Sequence, residues 1–174
     1  MLFVHARTPR IGPALVKQPA FYFLLISSLH AILPWLRLHR LHVSSEKLSN
    51  HAIRLHFTEP VPLFVGLRIS DAPLREWHSF ACIPARSGSG GSVLISNAGD
   101  WTKRTIQNPK PYYWVKGIPV TGVLCMARIF RKVVVVTTGS GIGPCLAVIQ
   151  DIPTRGTKCR VVWSTPSPLQ TYGS

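Results

Sequence analysis

The chain has 174 residues, with 20 Lys and Arg against 6 Asp and Glu, and a formal net charge of +14. That length holds one ordinary domain, or a small domain with part of a second, and so few carboxylates argue against a hydrolase built on paired acids. The cations are scattered and accompany no zinc-finger, RRM or leucine-zipper pattern, so the expected partners are anionic cofactors or lipid headgroups and not nucleic acid.

Residues 1–17 carry Arg7, Arg10 and Lys17, no acids and two prolines, and read as an irregular basic leader. Residues 19–36, PAFYFLLISSLHAILPWL, hold no charge. Eighteen residues at 1.5 Å each span about 27 Å, just short of the ~30 Å hydrocarbon core. The stretch is read as a membrane helix. Tyr22 and Trp35 suit its interfaces, and Arg37 and Arg40 beyond it put the following part on the cytoplasmic side. A buried or interfacial helix is the second reading and a secretory signal the third, although no small-residue cleavage site is evident. His30 has no second histidine on this helix to complete a haem site.

From Leu41 the pattern changes. Residues 52–57, AIRLHF, alternate apolar and polar as a half-exposed antiparallel strand does. Residues 63–70, 77–83 and 92–97 offer further strands, with a turn at Asp71-Ala72-Pro73 and a flexible loop at residues 86–91. Short strands joined by turns predict a small barrel. A second unit follows a boundary at residues 127–131.

That unit opens on KVVVVTTGSGIGPCLAVIQ, residues 132–150. Four valines without alternation predict a parallel-sheet strand covered on both faces. Pro144 suits the first position of a helix. Between them, Gly139, Gly141 and Gly143 allow positive φ and close approach, and the free N–H groups of a helix start favour phosphate. The order Gly139-Ser140-Gly141-Ile142-Gly143-Pro144 is not G-x-G-x-x-G. No acidic residue follows about 20 positions on, because the next strand, residues 159–163, runs into Ser164 and Thr165. The turn is therefore either a nucleotide site or an ordinary tight strand-to-helix turn. Cys82, Cys125, Cys145 and Cys159 lie far apart with no C-x-x-C or zinc spacing, so a reduced, cytosol-facing chain without a metal site is expected. Cys145 is read as a packing cysteine.

Three stretches taken together carry a resemblance: REWHSFACIP (residues 75–84), NAGDWTKRTI (97–106) and TTGSGIGPC (137–145). In this order and at these separations they resemble the ferredoxin–NADP reductase superfamily, and more narrowly the fungal integral-membrane flavoproteins of the TmpA type, related to ferric reductases and NADPH oxidases. The resemblance covers residues 43–173. After the N-terminal apolar helix read above, it implies an antiparallel FAD-binding barrel over residues 41–128 and an incomplete α/β nucleotide-binding unit over residues 129–174, an α+β chain shortened relative to the family.

By position, His78-Ser79-Phe80-Ala81 corresponds to the family's H-P-F-T motif. This implies that Phe80 packs on the flavin ring and that His78 lies near the flavin or its phosphates. Ser79 replaces the proline, and Ala81 lacks the hydroxyl that would bond the ring. Gly99-Asp100-Trp101-Thr102 resembles the family's G-x-W-T segment, with Trp101 as a packing residue and Thr102 capping a helix from Lys103. Residues 116–122, KGIPVTG, lie where relatives carry a turn before the FAD diphosphate, so Gly117, Thr121 and Gly122 are the diphosphate candidates. Thr138, Gly139, Ser140, Gly141, Gly143 and Pro144 are the candidates for NAD(P)H. The implied activity is electron transfer from NAD(P)H through FAD to an unspecified acceptor, with no general base or metal; the alternative is a non-catalytic, membrane-anchored flavin or nucleotide module.

Overall fold

The computed structural model describes residues 11–86, 88–117, 119–156 and 158–172; residues 1–10 of the basic leader lie outside the described residues. Helix α1 (Ile11–Val16) leads into α2 (Pro19–Ile32), which a 3-10 segment, Leu33–Arg37, extends. Among the described residues, ten strands and three further helices follow.

The barrel is formed by β1 (His39–His42), β2 (Ser44–Lys47), β3 (Ala52–Phe57), β4 (Val65–Ser70), β5 (His78–Pro84), β6 (Gly91–Ser96), β7 (Tyr112–Val115) and the short β8 (Val120–Thr121). Neighbours run β1-β7-β4-β5-β6-β3-β2, with β8 beside β4. β1 and β2 stand at opposite ends of that path yet are separated in sequence only by Val43, so the sheet closes on itself and exposes little free edge. The alternation read from AIRLHF holds. Ile53, Leu55 and Phe57 enter the core, while Arg54 and His56 stay on the outer face, bonded to Ser92 and Glu46. Leu67, Ile69, Val93, Ile95, Tyr113 and Val115 complete the interior. β1, β2 and β7 are four residues each, β2 exposed throughout and β7 aromatic on both faces, so each escapes a periodicity reading and is identified by its partner.

Helix α3 (Asp100–Gln107) closes one end of the barrel, burying Trp101 and Ile106. It begins three residues before Lys103, where the sequence placed its start. Thr102 is therefore inside the first turn, and its hydroxyl accepts the N–H groups of Ala98 and Gly99 and donates to the Gly99 carbonyl. The hydroxyl thus satisfies the helix entry from within.

A 3-10 segment, Val123–Ile129, leads to β9 (Lys132–Thr138), α4 (Ile142–Arg155), β10 (Lys158–Ser164) and α5 (Pro168–Tyr172). β9 and β10 pair in parallel, as the valine run predicted. The expectation that both faces are covered is corrected. Val135 is buried by α4, but Val134 and Val136 are 65% and 72% exposed, because the described residues place a helix on one side only. The helix start is also corrected. Gly139–Gly141 winds a 3-10 turn directly into α4, so Pro144 is its third residue, still within the first turn where a missing N–H breaks no bond.

α4 packs on β9 and against the outer side of β5, forming a second core of Phe64, Val135, Ile142, Cys145, Ala147 and Val148. Arg128 donates twice to the buried Asp151, at 2.8 and 3.0 Å, and Arg155 approaches it at 3.3 Å. This tie fixes the connecting segment to α4. The Arg128 hydrogen bonds hold the Asp151 carboxyl below the usual carboxylate range.

Candidate functional site

β4, β5 and β8 form one wall of a cleft, and the segment after Gly122 with the first turns of α4 forms the other. Its volume is about 540 Å³ and its walls are mostly apolar, with Phe64, Leu67, Leu124 and Ala147 among them. Arg68 is the one charged side chain among the described residues that line it. Arg68 is half-buried and has no acidic partner among the described residues. A flat aromatic ring suits the walls, and an anionic group suits the arginine edge.

The β4–β5 register sets Arg68 opposite Ser79 and Gly66 opposite Ala81. Alternation along β5 then divides the HSFA motif. His78, Phe80 and Cys82 share the face turned toward the barrel interior, whereas Ser79 and Ala81 share the outer face toward the cleft. Phe80 borders the cleft, but its ring lies 5.9 Å from Trp101 at an interplanar angle of 26°, packed against the barrel core. His78 does not line the cleft. Its ring stacks on Trp101 at 4.3 Å, and Nε2 is shut off from solvent without a hydrogen-bond partner, 4.0 Å from Glu76. Trp101 is 4% exposed, which fits its reading as a packing residue. It therefore backs both motif aromatics, and its indole N–H is held by Asp71.

The diphosphate candidates are placed differently. The Gly117 N–H donates to Pro34 and the Gly122 N–H to Phe64, so in this structure neither is a free donor. Gly122 nevertheless lines the cleft, and Thr121 is exposed in β8 opposite Val65. Phe64 sits at φ 64°, a left-handed conformation unusual for a large side chain, and its ring lies under the Arg128 guanidinium at 4.8 Å.

Of the glycine-turn residues, only Pro144 borders the cleft. Thr138, Gly139, Ser140, Gly141 and Gly143 lie outside it, at the end of β9. Gly139 has φ 50°, and its carbonyl accepts the Trp163 indole N–H at 2.8 Å. A Cβ on Gly139 would sit 3.5 Å from the Tyr172 hydroxyl, and Tyr172 packs on Trp163 at 5.5 Å. The end of α5 therefore lies over the turn, and burial raises the Tyr172 phenol.

Burial pushes the Cys82 thiol up to about 12 and raises that of Cys145, which donates to the Gly141 carbonyl at 3.2 Å. Both are packing cysteines with no thiolate character at neutral pH. Among the described residues no His, Cys, Asp and Glu cluster suited to a metal is present. Sequence reasoning missed Arg68 and the hydrophobic wall from Phe64 and Leu124. The signal for Arg68 was a lone charge inside the apolar strand VGLRIS, uninformative until β4 is paired with β5.

The family described as the C-terminal domain of adenylate-forming reductase 03009 matches residues 123–174. Adenylate-forming reductases 03009 and 06235 of Coprinopsis cinerea are 46% and 45% identical to this chain, each over 94% of it. The chain spans 16% of the length of either relative. Among solved structures, a ferredoxin NADP+ reductase from Neisseria gonorrhoeae, described with bound FAD and NADP, superposes with TM-score 0.63 at 13% identity, over 77% of this chain and 60% of that one. The fold is that of the ferredoxin–NADP reductases. A flavohemoglobin from Malassezia yamatoensis, described with bound FAD and heme, shares this ferredoxin–NADP reductase fold over 98% of the chain and 50% of its own, with TM-score 0.61 and 16% identity.

Proposed function

We propose that the cleft holds FAD and that the chain is the flavin-bearing part of an oxidoreductase that passes electrons from NAD(P)H to an acceptor. The observation that carries this reading is the apolar cleft of about 540 Å³ with Arg68 at its edge, set in a ferredoxin–NADP reductase fold. FAD supplies hydride acceptance and onward electron transfer. The chain's part is to orient the ring and keep water from it. Phe64, Leu124 and Ala147 supply apolar contact, and Ser79 and Ala81 stand on the face of β5 nearest the ring. Phe80, His78 and Trp101 brace that strand from behind. Arg68 supplies the cation for a diphosphate, with Gly117, Thr121 and Gly122 on the neighbouring segment. Residues 41–128 form the flavin unit and residues 129–174 part of the pyridine-nucleotide unit, whose turn carries Thr138, Gly139, Ser140, Gly141, Gly143 and Pro144.

Membrane association belongs to the same reading, with the barrel facing the cytoplasm. Its support is the 19-residue apolar helical segment Pro19–Arg37, none of it buried, and the reading accords with the resemblance of the three motifs to TmpA-type flavoproteins. A second reading, flavin binding without turnover, is favoured by Tyr172 and Trp163 lying over the glycine turn.

The test is the visible absorbance of the full chain in detergent with added FAD, under anaerobic conditions, before and after NADPH and then NADH. A retained flavin spectrum that bleaches is expected. Retained flavin that stays oxidised selects the second reading, and no retained flavin overturns both.

A further inference from the structure

The apolar helix does not leave the barrel on a loose tether. α2 buries none of its residues, and Phe23 and Ile26 are 72% and 61% exposed. The 3-10 segment after it returns to the barrel, where the Pro34 carbonyl accepts the Gly117 N–H at 2.9 Å. Lys116 Nζ lies 4.3 Å from the Trp35 ring centre and 4.2 Å from that of Trp77, a cation held between two indoles. The foot of the helix is thereby clamped to the end of β7.

The surface around this clamp has a distinct chemistry. Leu74, at the tip of the β4–β5 loop, is 91% exposed, and Leu36 is 74% exposed. Beside them Arg37 and Arg75 are exposed without an acidic partner among the described residues. On the adjoining outer face Arg40 lies 4.7 Å over Tyr112 and 4.9 Å over Trp114. The two carboxylates of the same loop do not offset these cations, because Asp71 is engaged by Lys110 and Glu76 by Arg104. Protruding leucines ringed by indoles and cations match the bilayer interface, where aliphatic tips enter the acyl boundary, aromatic rings sit at headgroup level and cations meet anionic lipid.

We propose that this end of the barrel docks on the anionic headgroups of the bilayer that α2 enters, fixing one orientation of the barrel on the membrane. The proposal rests on the reading of residues 19–36 as a membrane segment. It also locates the cleft. The Arg68 guanidinium, which lines the cleft, lies 3.4 Å from where a Cβ on Gly117 would sit, so the arginine edge of the cleft adjoins the clamp and lies close to the headgroups.

The test separates docking from insertion. Ile26→Gln with Leu29→Gln, both at exposed positions of α2, disables insertion in the full chain and leaves reversible binding by the barrel end. Flotation is then measured with vesicles of phosphatidylcholine alone and of phosphatidylcholine with phosphatidylserine. Binding to the anionic vesicles only is expected, reduced about tenfold by adding Leu74→Glu and Arg75→Glu. Circular dichroism confirms that all variants fold; the four side chains changed are solvent-exposed. Equal binding to both vesicle types, or anionic binding that survives Leu74→Glu and Arg75→Glu, overturns the docking face while leaving the membrane helix intact. Failure of the unsubstituted chain to float with either vesicle overturns the membrane reading and the docking face together. Flavin retention in the same samples reports separately on the oxidoreductase reading.

Discussion

Gly141 and Gly143 are two positions apart, and the structure requires a missing side chain only at the first. A Cβ on Gly141 would stand 2.5 Å from the Thr137 hydroxyl, which β9 holds in place, whereas one on Gly143 would meet Leu94 at 3.8 Å, an ordinary contact. Gly141→Ala is expected to cost about 1–3 kcal/mol through overpacking, and Gly143→Ala to be neutral or to stabilise α4 by about 0.5 kcal/mol. Urea denaturation of the two variants checks the contrast. Gly141 is therefore a poor probe of nucleotide binding, since its loss damages the turn itself. Asp151 offers a second prediction. Its carboxyl is held low by the hydrogen bonds from Arg128, so its contribution is present above the usual carboxylate range and is lost as the pH falls through the lowered folded-state value. Both arginines are over a third exposed, which limits the expected cost of Asp151→Asn at neutral pH to about 1–2 kcal/mol. The difference from the unsubstituted chain should shrink below about pH 4. Denaturation midpoints measured from neutral to acid pH decide it, and a difference that is constant with pH would leave packing as the cause.

At the scale of elements, α5 matters most for the proposed chemistry. It is five residues long, none of them buried, yet its last residue packs on Trp163 over the glycine turn. A further tie is the Ser49 hydroxyl donating to the Thr171 carbonyl at 2.8 Å. So short a helix has little stability of its own and can be displaced at small cost. Tyr172→Ala is expected to speed flavin bleaching by NAD(P)H several-fold without changing flavin retention, because it uncovers the turn and leaves the cleft untouched. Stopped-flow absorbance of the oxidised flavin is the measurement, and an unchanged rate would mean that the tyrosine is no obstacle. β9 tells a related story. Its valines were written for cover on both sides, and the described helices cover one, so Val134 and Val136 form an apolar strip on the open face.

For the whole molecule, closure of the barrel depends on a single residue between two strands. Val43 separates β1 from β2, packs against the barrel core, and donates its N–H to the Pro111 carbonyl at 3.0 Å. Val43→Pro removes that hydrogen bond at the point where the sheet joins itself, with an expected cost of about 3 kcal/mol. The loss should appear in the barrel first: hydrogen exchange is expected to accelerate in β1, β2 and β7 before β9 and β10, whose contacts do not involve the joint. Uniform acceleration would show that the two cores unfold as one unit.

Much of the architecture is local and was legible in the residues. AIRLHF carries its period of two, the four valines of β9 carry a parallel strand, and the uncharged run before Arg37 carries a helix. In each case the signal lies within one element and reflects the solvent that each face meets. The site was legible only as motif positions. Which way HSFA presents its side chains depends on the β4–β5 register and on Trp101 occupying the inner side, and that turned Phe80 and His78 inward and left Ser79 and Ala81 to the cleft. Arg68 became a cleft residue through the same pairing, and the Gly117 N–H ceased to be a free donor once Pro34 folded back on it. Local pattern determined the elements because hydrophobic burial has the period of the backbone. Tertiary structure alone decided the cleft, the clamp and the covered glycine turn, because each is a meeting of residues far apart in the chain, whose distances no sequence period encodes.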